Sequence, residues 1–464
     1  MKPRKKIVVD NIHGDIELTD TEWRIVNTAS FQRLRSLKQL GMGHFVYPNA
    51  THTRFAHSLG VFKVMSKIVE MLERAEWLDD EQRADLRLAA LLHDIGHYPY
   101  SHLMERVDRV KLTEEEVSGS EQRELPSGAA YPKHERLGRF ILEKQSDLLE
   151  AIGGPERAGK VADLFMRTPA ADQNLSKLIH SSLDMDRLDY LLRDARAAGV
   201  PYGEIDVNYL LNATRVSKTG ALGVDFKALP AAEHFLIARL YMHRVVYYHK
   251  TTFGLEEACR QLLKRVRKAD KYGIAKDGDS IRDLCACADL ATFTDDYVDR
   301  IILAATGDDD FVIATLARSI ASRKPPRLLA EVGGLHGNEE RFHSCSFFRT
   351  ACKDRLRDLA RRYDLPLGLF LLAGPPAIRV EERGSHMRVS EAKEVEEERE
   401  ELIKVFEKDA EEPKSLVEID GSIIQHLANH QFEICRLYVA DLSPEAERRL
   451  PEMKAEVAKW KQPG

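Results

Sequence analysis

Apolar positions recur at three- and four-residue spacings through TEWRIVNTASFQRLRSLKQLG, RFAHSLGVFKVMSKIVEMLERAEW and DDEQRADLRLAALLHDIGH, a periodicity that predicts amphipathic helices. Ahead of them, residues 1–20 hold IVVD and DIEL on either side of His13-Gly14, the pattern of a small hairpin. In the third helical segment Asp79 and Asp80 offer an N-cap. Leu86, Leu88, Ala89, Leu91 and Leu92 follow almost without interruption, so this helix should be buried around its C-terminal half. Gly96 and Pro99 should then end it, leaving His93 and Asp94 at its last turn.

The stretch from Lys111 to Lys133 is polar and acidic and contains SGS and PSG, which predicts an exposed loop. Helical patterning resumes at His134. It runs through LIHSSLDMDRLDYLLRDARAAG, stopped by Gly199 and Pro201, and through EHFLIARLYMHRVVYYHKTTFGLEEACRQLLKRVRKAD. A boundary is expected between 265 and 280, giving a catalytic body over 1–270 and a lobe over 271–464 that serves assembly. The lobe mixes helices with strand-like pieces such as PPAIRVEE, and its EAKEVEEEREELIKVFEKDAEEPK segment reads as a solvated helix and loop. GSHM at 384–387 is read as chance. The expected class is mainly α: an all-helical body with a smaller α+β C-terminal lobe.

Composition narrows the setting. Hydrophobic residues are 43% and charged residues 31% of the 464, the balance of an ordinary globular protein. No apolar run approaches the ~20 residues of a membrane span, and MKPRKKIVVD has no signal-peptide pattern, so no membrane and a cytoplasmic location are expected. The six cysteines show no CxxC spacing and are expected to be reduced thiols. A net charge of −6 argues against a surface built for nucleic acid. Any site for a polyanion must therefore be a local concentration of Arg, Lys and His.

An adjacent His93-Asp94 pair at a helix end offers an imidazole nitrogen and a carboxylate oxygen, donors suited to Mn, Fe, Mg, Ni or Zn. Alone, the pair fits a helix-end histidine beside a surface aspartate better than it fits a metal site. Around it stand RFAHSLG, HDIGHYPYSH, KHERLGRF and SSLDMDRLDYLLRD. Together these resemble the HD superfamily, whose divalent metal is bound by a His, the His-Asp doublet and a distant Asp. The resemblance implies His57, His93, Asp94 and Asp186 as ligands, with Asp184 and Asp189 as flanking alternatives. Such an ion would acidify water and polarise a phosphoryl oxygen.

FQRLRSLKQLGMGHFVYPNATHTRFAHSLG, LLHDIGHYPYSH, LDMDRLDYLLRD and RLYMHRVVYYHK further resemble, in this order, the deoxynucleoside triphosphate triphosphohydrolase branch of that superfamily. This branch includes the SAM-and-HD-domain enzymes; the resemblance covers residues 6–270 and no SAM domain. It implies hydrolysis of a dNTP to a deoxynucleoside and inorganic triphosphate. It also implies triphosphate contacts from Arg54, Arg187 and Arg239, whose forked donors suit phosphate oxygens. His97, His102 and His134, with Glu105 and Glu135, match the family's histidine layer. His102 is the expected proton donor to the leaving 5′-oxygen, oriented by Glu105 where the family commonly has Asp. Gln39, Leu40, Tyr190 and Asp194 match sugar contacts, Tyr247 a residue near the base, and His243 a further substrate contact.

Relatives of this kind assemble as dimers or tetramers around activating nucleotides. Lys6, Gln32, Arg35, Arg215, Lys250, Arg323 and Arg327 resemble the residues that hold such activators. Asn27 stands where guanine-reading relatives have Asp, and Val9 and Val245 replace polar or basic residues. An Asn cannot accept two guanine N–H bonds as a carboxylate does. Two other functions fit the same residues: hydrolysis of another nucleotide or phosphate ester, and a regulator that binds nucleotide or nucleic acid without catalysis.

Overall fold

The N-terminal hairpin forms as expected, with Lys6 opposite Leu18 and Asp10 opposite Gly14. Gly14, at φ +72°, supplies the left-handed backbone of its turn. The computed structural model describes residues 6–74, 76–109, 111–118, 130–181, 183–337, 342–375, 377–379, 403–428 and 430–461. GSHM and the first half of the acidic 391–414 segment lie outside the described residues.

Beyond the hairpin the chain is mainly helical. Helix Arg54–Arg74 packs against both Asp80–Leu92 and Met185–Ala198, and the candidate ligands lie on or just beyond these three helices. Asp79 caps the second of these through a capping box with Gln82, and the helix stops at His93. Asp184 caps the third, and Gly199 ends it in left-handed conformation. A Cβ on Gly96 would lie 2.1 Å from the His134 carbonyl oxygen and 2.3 Å from the Gly138 nitrogen. That glycine lets the loop after His93-Asp94 sit directly on helix His134–Lys144.

The long helical stretch near 229–268 is two helices, Leu229–Met242 and Lys250–Lys268, joined by a π-type turn over His243–Tyr247. The turn carries His243 and Tyr247, and such turns are frequent at functional sites.

The exposed loop expected from Lys111 is partly a helix. Thr113–Ser118 is helical and Leu112 and Thr113 are buried, with the Thr113 hydroxyl donating to the Phe370 carbonyl. A polar segment reads as loop until a partner surface is present; here strand Phe370–Ala373 and helix Phe342–Arg362 supply one.

The C-terminal part adds two small sheets. In one, Gln431–Val439 lies between Arg327–His336 and Phe370–Ala373, and Ile378–Arg379, from the strand-like PPAIRVEE, pairs with it. In the other, Lys404–Phe406 runs parallel to Leu222–Asp225, joining the C-terminal part of the chain to the helical part. A second apolar core gathers Phe348, Leu356, Phe370, Leu437 and Trp460.

Candidate metal centre and active site

Four side chains converge at the ends of three helices. His57 Nε2 lies 2.8 Å from Asp186 Oδ1 and 3.7 Å from Asp94 Oδ2. His93 Nε2 lies 3.4 Å from Asp94 Oδ1 and 3.7 Å from Asp186 Oδ1. Both Nε2 atoms are buried without a well-directed hydrogen bond among the described residues. Buried polar atoms are nearly always satisfied, so two imidazole nitrogens without such a bond, facing two carboxylates, suit a cation.

The other ring nitrogens are occupied. His93 Nδ1 donates to the Ala90 carbonyl at 2.8 Å, and His57 Nδ1 donates to Asp189 Oδ2 at 2.8 Å. Each bond fixes the tautomer that leaves Nε2 free for a metal. Burial opposes charge on His57, yet Asp186, Asp189 and Asp94 outweigh it and raise its pKa to about 10. A divalent metal ion is the cofactor this donor set accepts.

The three neighbouring aspartates separate by position. Asp184 is the helix cap, accepting from the Arg187 amide at 2.7 Å and pairing with its guanidinium at 2.8 Å. Asp189 faces the far side of His57. Asp186 reaches both candidate histidines.

A second group abuts the first through Asp94, whose Oδ1 is 3.1 Å from His97 Nε2. The His97 ring stacks on His134 at 4.1 Å between centroids, and His102 meets both edge-on at 5.2 Å. Glu105 bridges two of these rings, at 2.6 Å from His102 Nδ1 and 3.0 Å from His134 Nδ1. The extra methylene of Glu thus reaches both histidines. Burial opposes the His134 charge, but Glu135 and Glu105 raise its pKa to about 9. Partial desolvation lowers that of His102 despite Glu105. His102 is also the open member of the group, its side chain 46% exposed.

Arg54 is buried and donates to Asp94 Oδ2 at 2.8 Å and to the Ser101 hydroxyl at 3.0 and 3.2 Å. Tyr100 and Ser101, just before His102, both take positive φ, 52° and 54°. Such backbone is strained for non-glycine residues and needs support. Asp295 gives it, accepting from the Tyr100 amide at 2.8 Å while also accepting from the Lys38 amide at 3.0 Å.

A wall beside the metal cluster carries the sugar-contact candidates. Tyr190 lies 6.5 Å from the His57 ring and 6.2 Å from Tyr247. Asp194 accepts from the Tyr247 hydroxyl at 2.9 Å and from His52 Nε2 at 2.7 Å. Burial raises the Tyr190 pKa, with Arg187 and Arg239 opposing; burial and the same two arginines lower that of His243 to about 3. The Gln39 backbone N–H donates to the His52 carbonyl, and its Oε1 is buried without a hydrogen bond among the described residues. Leu40 is half-buried beside it.

The residues matched to activator sites do not all gather. Lys6 pairs with Asp20 and lies 5.9 Å above Trp23, Asn27 donates to the Trp23 carbonyl, Gln32 donates to the Val26 carbonyl, and Arg35 donates to Gln32. These form one surface. Arg215 lies against Phe406, Lys250 begins its helix, Arg323 donates to the Phe45 carbonyl, and Arg327 pairs with Glu447.

Sequence reading missed His13, Arg33, His52, Arg193 and Asp295, which no local motif marks. Arg33 is buried and donates to the carbonyls of Ile95, His97 and Phe293, clamping the loop after Asp94. An Arg33→Met variant strands these acceptors, so we expect a stability loss of about 3 kcal/mol. Urea denaturation checks this; a parent-like midpoint would refute the clamp.

Against known proteins, residues 54–193 match the HD domain and residues 205–301 the HD associated region. The chain is an HD-domain protein. This HD-domain protein is 31% identical over 274 residues to the uncharacterized protein YwfO of Bacillus subtilis, covering 58% of each chain. It is 35% identical over 249 residues to the uncharacterized protein MJ1154 of Methanocaldococcus jannaschii, covering 53% of this chain and 46% of that one. It is 32% identical over 269 residues to human deoxynucleoside triphosphate triphosphohydrolase SAMHD1, covering 53% and 42%. The chain thus spans about half the length of these curated relatives. A phosphohydrolase from Bacteroides thetaiotaomicron superposes with a TM-score of 0.70 at 21% identity, over 94% of this chain and all of that one. A hypothetical protein from Aquifex aeolicus gives 0.70 at 24%, over 98% and 100%. These likenesses show the fold. The mainly helical HD-domain architecture follows for this HD-domain protein. No described helix is long and apolar enough to cross a membrane.

Proposed function

We propose that this HD-domain protein hydrolyses deoxynucleoside triphosphates to deoxynucleoside and inorganic triphosphate. The observation that carries the reading is a set of three arginines beside the metal cluster. Arg54 sits on Asp94, Arg187 follows Asp186, and Arg187 and Arg239 act on the same two side chains, Tyr190 and His243. Three guanidiniums are more than a monophosphate needs and suit the charge of a triphosphate. The named activity of the SAMHD1 relatives agrees with this reading.

His57, His93, Asp94 and Asp186 would hold the ion, which supplies Lewis acidity toward a phosphoryl oxygen and acidifies water. Arg54, Arg187 and Arg239 bind and orient the triphosphate. Gln39, Leu40, Tyr190, Asp194, His243 and Tyr247 receive the nucleoside. His102 protonates the leaving 5′-oxygen: Glu105 holds its Nδ1–H and leaves Nε2 for the transfer, and a lowered pKa makes its imidazolium the stronger acid. His97 and His134 pack round that donor and keep its ring in place.

Incubation with Mn or Mg and each dNTP and NTP, followed by identification of the phosphate product, tests the reading. Inorganic triphosphate is expected. Orthophosphate, pyrophosphate, or turnover of monophosphates alone would sink it.

The reading extends to assembly. The continuous surface of Lys6, Asn27, Gln32 and Arg35 takes an activating nucleotide between subunits of a dimer or tetramer, the C-terminal lobe contributing to the assembly, and Asn27 weakens selection of guanine. Arg215, Lys250, Arg323 and Arg327 complete this site from other surfaces. Mixed nucleotides should then be hydrolysed faster than each alone, with a larger mass by light scattering. Equal rates and an unchanged mass would remove the activator.

A further inference from the structure

The N-terminal hairpin is physically joined to the metal centre. His13, in its turn, places Nε2 2.7 Å from Asp189 Oδ1, across 176 residues of sequence. The other oxygen of that carboxylate, Oδ2, accepts from His57 Nδ1 at 2.8 Å. Both side chains of the first contact are buried, His13 at 4% and Asp189 at 0% exposure. Arg193 adds two further bonds to Asp189, each 2.9 Å, and reaches Asp10 at 2.9 and 3.2 Å. Asp10 in turn accepts from the amides of Ile12 and His13 at 3.0 and 2.8 Å, fixing the turn that presents the imidazole. Space for this network comes from Gly60, where a Cβ would lie 1.9 Å from Asp189 Oδ1 and 2.3 Å from Arg193 Nη2.

We infer that His13 is a positioning residue of the metal centre, acting on His57 through Asp189. A carboxylate offers about four acceptor directions, and Asp189 uses all of them: His13, His57 and two from Arg193. Each donor limits its rotation. Remove the His13 donor, and Oδ1 is held by Arg193 alone, the carboxylate turns toward that guanidinium, and the bond that orients the His57 ring loosens. Partners of a ligating histidine typically matter 10–100-fold in metal affinity. One step further out, the expected effect is about threefold to tenfold. The inference rests on His57 being a metal ligand and is independent of the substrate.

The test measures the Mn dissociation constant of the full chain by competition with a chelating dye, with far-UV circular dichroism as the check on folding. His13→Phe keeps a ring and removes the donor, so it should weaken Mn binding about threefold to tenfold. If His13→Phe does not fold, His13→Ala takes its place with the same expectation. His13→Gln keeps an amide donor and should stay close to the parent. Asp15→Ala, on the exposed side of the same hairpin, should leave the constant unchanged. Parent-like affinity in the folded donor-less variant overturns the inference, as does an equal loss in His13→Gln or Asp15→Ala. A parent chain that binds no Mn, or an Asp186→Ala variant that binds it as tightly, would overturn the metal-centre reading itself and this inference with it.

Discussion

An Asp186→Ala variant should keep its fold, lose its bound metal and lose phosphohydrolase activity by about 10³-fold or more. The magnitude follows from the several kcal/mol a catalytic ion contributes, at 1.36 kcal/mol for each factor of ten. The fold should survive because Asp186 is not the helix cap. Asp184 fills that role, burial raising its pKa to about 6 while the Arg187 guanidinium and the amides of Arg187 and Ser181 oppose the rise. Asp186 lies in the first turn, a third exposed, with Oδ1 aimed at His57 and His93. Metal analysis, a thermal melt and the rate on the preferred nucleotide decide the matter together. Parent-like activity in metal-loaded Asp186→Ala would exclude Asp186 as a ligand.

The second large effect concerns the proton. His102→Gln should lower kcat by about 10²–10⁴-fold, the usual contribution of a positioned general acid, and leave KM nearly unchanged. A deoxynucleoside 5′-alkoxide is a poor leaving group without protonation. A nitrophenolate is not, so an ester carrying that group should be hydrolysed by His102→Gln at close to the parent rate. Equal losses on both substrates would assign His102 to binding or structure. Glu105→Gln should fall between the two proteins, because a neutral amide still accepts from one of the two imidazoles but no longer stabilises their charge. Burial pushes the Glu105 pKa up, and His102 and His134 lower it below its ordinary value.

Much of this site was legible because its chemistry sits at helix ends that sequence marks plainly. Apolar periodicity and Asp79 define the helix that delivers His93 and Asp94, and Asp184 with Gly199 brackets the one that delivers Asp186. The same reasoning failed on Thr113–Ser118, where a short acidic segment becomes helical against Phe342–Arg362 and Phe370–Ala373. It also passed through the π-type turn at His243–Tyr247, because one inserted residue leaves the apolar pattern almost unchanged.

The supporting residues were hidden for a different reason. His13, Arg33, His52, Arg193 and Asp295 serve groups far away in sequence, as in the 260 residues between Arg33 and the Phe293 carbonyl. No periodicity carries that information; a long-range hydrogen bond is set by how the elements pack.

Sequence alone determined the helical body, the hairpin and the donor types of the metal centre, since local spacing and side-chain chemistry suffice for these. Only the tertiary structure decided which aspartate reaches both histidines, that Glu105 serves two imidazoles, and that the hairpin touches the centre through Asp189. Steps of two and three residues separate a cap, a candidate ligand and an anchor at the start of a single helix. Direction in space, which the chain acquires on packing, assigns them.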